Sequence, residues 1–279
     1  MNPSIKEQLR KIAVLRMINR TLDKLFTNIR RGANKLGGKR KCYICGRTFN
    51  HFTKFRGGSK NQSRFHRKLD VVGSDTDNFG CMYCGCHDRE RHLFMFFDRL
   101  GLWENMQNQR IIHFAPERHV ARKINEQTPS EYVKADLNPQ NEDTWKIDAT
   151  KIPYNDATFD LLIANHILEH IPDYRKALSE FYRILKPGGI AILQTPYSRL
   201  LNNNFEDDGI DSDELRLIFY GQEDHVRTFG EGQFLESLKE TGFSVQVKRH
   251  QDCFNASETI RYGVPKDEDL ILVEKLSKK

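Results

Sequence analysis

The sequence predicts an α/β protein: a mostly parallel sheet covered by helices, preceded by a small cysteine-bounded module and a basic N-terminal helix. Three observations lead there. After Arg91, short apolar runs alternate with amphipathic stretches, the pattern of strands and helices in turn. Two Cys-x-x-Cys-Gly pairs bracket a polar insertion ahead of that region. Over residues 5–29, apolar side chains recur every three or four positions among lysines and arginines.

The length of 279 residues suits one catalytic domain with a small addition, at roughly 100–200 residues per domain. A charged fraction of 29% against 38% hydrophobic residues points to a globular chain with polar segments rather than to disorder throughout. No apolar run approaches a membrane span, and charges interrupt the N-terminus where a signal core would lie, so the expected compartment is the cytoplasm. The net charge of +6 is unevenly spread. Residues 1–41 hold twelve Lys and Arg against two acids, whereas residues 101–279 hold 22 against 30. Any polyanion is therefore met by the front end.

In chain order, the arm at 1–41 reads as a basic amphipathic helix broken by Gly32 and by Gly37-Gly38. Three readings are open for it: packing on the protein, peripheral attachment to anionic lipid at the inner membrane face, or contact with RNA. The module at 42–92 follows. Cys42, Cys45, Cys81 and Cys84 have the spacing of two zinc knuckles, in which paired thiolates reach one tetrahedral ion and glycine lets the backbone turn around it. Four thiolates leave no open position, so the zinc is expected to be structural. Cys86 and His87 lie near enough to replace one ligand. The insertion between the knuckles reads as a loop, with Phe49, Phe52 and Phe55 packed on the module or stacked on bases.

The region 93–279 begins with a helix at 93–100. Strands are expected at 110–114, 132–136, 159–164 and 190–194, with helices at 120–125 and 174–185. The second helix stops at Lys186-Pro187-Gly188-Gly189. Two last strands at 243–248 and 270–273, joined without room for a full helix, imply one antiparallel strand in the sheet.

The stretch Phe159 to Asn165, then Leu168-Glu169-His170, then Tyr182 through Gly189 into a strand, resembles the class I methyltransferases, and more closely the small-molecule branch related to ubiquinone-biosynthesis enzymes. The resemblance runs from about Arg110 to the C-terminus. It implies a Rossmann-like seven-stranded methyltransferase sheet with S-adenosylmethionine across the carboxyl ends of its central strands. On that resemblance Asp136 binds the ribose diol, Asp148 contacts the adenine amino group, and Asn165 and His166 lie beside the transferring methyl. The preceding cysteine module, the His113-Phe114-Ala115-Pro116-Glu117 segment and Gly221 through Arg227 further resemble a bacterial subgroup with an N-terminal zinc module.

The sequence departs from the family at the turn after the first strand. Where a glycine-rich loop is expected it carries His113, Ala115, Pro116 and Glu117. A dinucleotide pyrophosphate would meet an added negative charge there, while a methionine bearing an ammonium and a sulfonium would be favoured. His113, Ala115 and Glu117 are accordingly expected among the cofactor contacts, with Glu117 as the carboxylate partner. His166 through His170 also matches the H-x-x-E-H pattern of a zinc protease, but that chemistry needs one continuous helix, which a strand-to-helix turn does not offer.

An activated sulfonium leaves the protein mainly to align acceptor, methyl and sulfur. A hydroxyl acceptor would also use a general base near neutral pKa, for which His166 and His225 are the candidates. Tyr197 is expected as a pocket wall, and Arg227, in a substrate-covering insertion at about 200–229, as a substrate contact. The expected acceptor is a sugar, glycan precursor or similar small metabolite. An RNA methyltransferase gripping RNA through its arm and module is the second reading, and a non-catalytic cofactor-binding or zinc-scaffold protein the third.

Overall fold

The computed structural model describes residues 32–277, so the helix expected over 5–29 lies outside the described residues. Its centre is a sheet of seven strands: β1 (Arg110–Phe114), β2 (Glu131–Asp136), β3 (Trp145–Lys146), β4 (Phe159–Ala164), β5 (Leu185–Ile192), β6 (Ser244–Lys248) and β7 (Leu270–Glu274). They lie in the order β3-β2-β1-β4-β5-β7-β6. Only β7 runs against the rest, antiparallel to both β5 and β6. That is the Rossmann-like methyltransferase topology expected from the sequence.

Side chains alternate across the strands and so feed two cores. Ile112, Phe114 and Leu162 point to one face, packed with Leu178 and Phe181 of α3 (Tyr174–Ile184) and Phe234 of α5 (Glu231–Glu240). Ile111, Ile163 and Ile192 point to the other, packed with Leu93 and Phe97 of α1 (Asp88–Leu100) and with Val120 of α2 (Arg118–Glu126). In α3 the buried residues Ala177, Leu178, Phe181 and Ile184 hold the helical period, and the Asp173 carboxylate caps the first turn by accepting from the Lys176 amide.

Several boundaries differ from expectation for local reasons. Strand β5 begins directly at Leu185 rather than at 190 and runs through Pro187 and two glycines. Gly189 is needed there, since a Cβ would sit 2.9 Å from the Lys186 carbonyl oxygen and 3.2 Å from that of Asp160. Between β6 and β7 there is room for helix after all: a turn at His250–Cys253, then α6 (Ala256–Tyr262), started by a capping box between Asn255 and Glu258. The segment between α3 and α5 holds one further helix, α4 (Asp213–Phe219).

The insertion between the knuckles is folded rather than a loop. Thr48–Phe49 pairs with Arg40–Lys41, and Val71–Val72 pairs with Tyr197–Ser198, which in turn pairs with Phe229–Gly230. Phe65, in a short helix at Arg64–Lys68, packs on Phe205 and on Phe219 of α4. Phe49 and Phe52 are buried against the cysteines, so neither is presented for base stacking, and the half-buried Phe55 packs on Phe79.

Arg91 joins the module to the sheet domain. It is fully buried in α1, and its guanidinium donates to five carbonyls: Asn78, Phe79 and Cys86 of the module, and Tyr262 and Gly263 at the end of α6. Removing those donors leaves buried carbonyls unpaired. Arg91→Met is expected to lower unfolding stability by more than about 3 kcal/mol, read as a shift in the urea midpoint.

Candidate active site at the carboxyl ends of the strands

Turns at the carboxyl ends of β1, β2, β3 and β4 line a cavity of about 610 Å³. Ala115, Asp136, Asp148, His166 and His170 are among its lining residues. The Asp136 carboxylate accepts from the Asn138 amide, and the Asp148 carboxylate from the amide and hydroxyl of Thr150. The turns after β2 and β3 are each thereby held by one carboxylate oxygen. Ala115 stands in the left-handed region at φ 46°, the conformation that a glycine-rich loop would supply without strain, and its amide is fixed on the Ala135 carbonyl.

A second cavity, of about 780 Å³, lies between this turn and the cysteine module, and Ala115 and His166 border both cavities. Glu117 faces it from the start of α2, together with Asn165 and Arg89. His113 lines neither cavity. It is fully buried, with Nε2 2.8 Å from Glu117 and Nδ1 3.0 Å from the Tyr132 hydroxyl, so its role is to orient Glu117 rather than to touch a cofactor. The Asn165 amide donates to the other Glu117 oxygen. Burial alone would raise Glu117, but the His113 contact outweighs it and holds the carboxyl below its usual range, hence charged.

His166 and His225, the two expected bases, sit in unlike settings. His166 has positive φ, 52°, and its Nε2 lies 3.1 Å from Glu268 while Nδ1 faces Glu169 at 3.6 Å. Burial works against its charge, yet the two carboxylates prevail and raise it, so it holds a proton more readily than an ordinary histidine. Burial pushes His225 down to about 4, which keeps it neutral. Behind His166 a buried chain continues: Glu268 to His92 at 3.2 Å, His92 to His250 at 2.8 Å, and His250 to the Thr259 hydroxyl at 2.8 Å. Sequence reasoning missed Glu268, His92 and His250, because they come from three distant elements and no motif links them.

Arg227 and Tyr197 are directed elsewhere than expected. Arg227 donates to the carbonyls of Leu168, Ile171 and Pro172 and pairs with Glu206 at 2.6 Å, which clamps the turn after β4 and leaves it 4% exposed. Tyr197 is buried in the core at 2%. The segment 166–170 is a left-handed residue followed by a 3-10 turn at Leu168–His170, so the protease pattern has no continuous helix.

In the module, the two knuckles have matching hydrogen bonds: Cys42 N to Arg47 O and Gly46 N to Cys42 O in one, Cys81 N to Cys86 O and Gly85 N to Cys81 O in the other. Sγ of Cys42 lies 3.7 Å from that of Cys84, and Sγ of Cys45 lies 3.8 Å from that of Cys81. Both fit the edge of about 3.8 Å that a tetrahedron with Zn–S near 2.3 Å requires. The tightest group of four sulfurs is nevertheless Cys42, Cys81, Cys84 and Cys86, with Cys86 3.4 Å from Cys42. Cys86 is carried in by the bond that closes the second knuckle, and it is the residue that spacing marked as a substitute ligand.

The sheet order and the cavity at its strand ends define a class I, Rossmann-like methyltransferase fold. Residues 115–193 match the family described as "Methyltransferase domain". The chain is 28% identical over 131 residues to a sterol 24-C-methyltransferase of Gibberella zeae, covering 47% of this chain and 33% of that protein. It is 46% identical over 46 residues to a demethylmenaquinone methyltransferase of Streptomyces avermitilis, covering 16% and 20%. The chain thus spans a third or less of the length of these curated relatives. Among solved structures it is similar to an S-adenosylmethionine-dependent methyltransferase from Mesorhizobium loti, with a TM-score of 0.46 and 16% identity over 64% of this chain and 96% of that one.

Two outcomes follow from this geometry. Ala115 is exposed, so Ala115→Gly relieves its left-handed strain without loss of packing and should raise stability by about 1 kcal/mol, read by thermal melting. His250 is pushed by burial, and then by His92, from near 6.5 to about 4. The folded protein therefore keeps it neutral while the unfolded chain takes up a proton. Its contribution is complete above about pH 6.5 and is lost as pH falls toward about 4. Urea midpoints measured across that window should fall less steeply in His250→Gln than in the wild type.

Proposed function

We propose that the chain is an S-adenosylmethionine-dependent methyltransferase that methylates a hydroxyl oxygen on a small polar acceptor, with a sugar or glycan precursor as the substrate class. One observation carries the reading. The cavity at the strand ends has carboxylates, Asp136 and Asp148, at one side and polar side chains, His166, His170 and Asp224, at the other. The carboxylates suit the ribose hydroxyls and adenine amine of the cofactor. Glu117, charged and facing the adjoining cavity, suits the methionine ammonium.

The matched relatives' printed names describe sterol and quinone substrates. A sterol would offer the imidazoles and carboxylate on that side little to pair with, whereas hydroxyl groups pair with them. The RNA reading rests on the charge of residues 1–41, and the burial of Phe49 and Phe52 weakens its stacking component. For localisation, no helix among the described residues is long and apolar enough to cross a membrane.

Calorimetry with S-adenosylhomocysteine tests the cofactor assignment. Asp136→Ala and Glu117→Ala should each weaken binding by about tenfold or more, and wild-type affinity in both would refute it. For the module the same reading includes a structural zinc on Cys42, Cys45, Cys81 and Cys84, supported by the paired knuckles and the two sulfur edges. Metal analysis should then give one zinc per chain in the wild type and in Cys86→Ser, and loss of zinc in Cys45→Ser. The reverse pattern would make Cys86 the fourth ligand.

A further inference from the structure

Beside the first cavity, which His170 lines, three acceptor atoms face one another, and the nearest donor is His166 Nδ1, 3.6 Å from the same Glu169 oxygen. Glu169 is 1% exposed, and its Oε1 has no hydrogen-bond partner among the described residues, while Oε2 accepts from the Thr195 hydroxyl. His225 Nε2 faces Oε1 at 3.9 Å and His170 Nε2 faces it at 4.0 Å. The tautomers follow from the outer nitrogens. His225 Nδ1 lies 3.2 Å from the Tyr220 carbonyl, which can only accept, so Nδ1 carries the hydrogen. His170 Nδ1 lies 3.2 Å from the Asp224 carbonyl and 3.3 Å from its carboxylate, so it carries the hydrogen too. Both Nε2 atoms therefore present lone pairs toward a buried carboxylate oxygen.

A cation between them would satisfy the two Nε2 lone pairs, which the His166 imidazole does not reach, together with the Glu169 oxygen. Distances of 3.9 and 4.0 Å are too long for hydrogen bonds but suit ligands grouped about an ion, and the three ligand atoms all lie within 4.8 Å of one another. Imidazoles whose other nitrogen donates to a carbonyl or carboxylate are the usual arrangement of metal-bound histidines. The surrounding backbone is also fixed. Val226 N donates to the Glu169 carbonyl, and Arg227 binds the carbonyls on either side of the turn that carries His170.

We propose that Glu169, His170 and His225 form a site for a divalent first-row transition cation, distinct from the cysteine module, that binds the acceptor hydroxyl. Two imidazoles and one carboxylate suit Mn(II), Fe(II), Co(II) or Zn(II), and three protein ligands leave positions open for substrate oxygens. An acceptor with adjacent hydroxyls fills two of them. The role deepens the methyltransferase reading and rests on it. The cation lowers the pKa of the bound hydroxyl, whose proton leaves to water. The oxygen pair then forms the bond to the methyl carbon, the carbon–sulfur bond breaks with its electrons on sulfur, and the products are a methyl ether, a thioether and one proton.

Cobalt(II) is the probe. Added to full-length protein that carries one zinc per chain on its cysteines, it should bind at one equivalent per chain, with weak visible bands of nitrogen and oxygen ligation and without the intense near-ultraviolet band of thiolates. Binding should weaken about tenfold or more in His170→Ala and in His225→Gln. His170 is partly exposed, so its variant should fold, as its melting curve would verify. Absence of a thiolate-free cobalt species, or equal affinity in wild type and both variants, overturns the site. Calorimetry with S-adenosylhomocysteine on the same samples separates the two readings. Retained cofactor binding without cobalt refutes the metal site alone, and loss of cofactor binding in the wild type refutes the methyltransferase reading.

Discussion

Arg91 carries a charge that never reaches water and is answered by five backbone carbonyls rather than by a carboxylate. Because those carbonyls belong to the module, to α1's own approach and to the end of α6, one side chain sets the spacing among them. Its face also covers the Phe52 ring at 3.9 Å, and one nitrogen lies 3.8 Å from the Cys86 sulfur. A tetrathiolate zinc centre is net anionic, so a buried guanidinium beside it lowers the cost of burying either alone. The second cavity exists because this attachment holds the knuckle Cys81–Gly85 over the start of α2.

The site follows a similar economy of charge. Glu268 and Glu169 are both buried, and neither has an arginine or lysine partner among the described residues. Imidazoles surround them instead, drawn from α1, the turn after β4, the start of the turn after β6 and the segment before α5. Burial would raise both carboxyls, and the imidazoles reverse this, with Glu169 held at about 2.

Much of the sheet was legible in the sequence because its central strands β1 and β4 are apolar on both faces and end in turns with strong local chemistry. The limits of β1 and β4 were readable from composition, as was the reversed last strand. The short β3, Trp145–Lys146, was not, since two exposed residues leave no apolar run. Asp136, Asp148, His166 and Asn165 could be placed at the cavities because strand ends fix them. Arg227 and Tyr197 could not, because sequence gives the neighbourhood of an insertion but not whether a side chain turns inward to carbonyls or outward to solvent. The burial of Glu268 three residues after Pro265 had no local signal at all. Its partners arrive from positions as far as 176 residues away.

The two cavities meet where Ala115 and His166 border both. Both residues adopt left-handed backbone at that shared border. A synthetic ligand could exploit this by joining a nucleoside in the first cavity to an ammonium-bearing tail in the second through a slender linker. Selectivity over enzymes with a glycine-rich loop would then come from the tail, which would meet Glu117 and the underside of the cysteine module, surfaces that a bare loop does not offer.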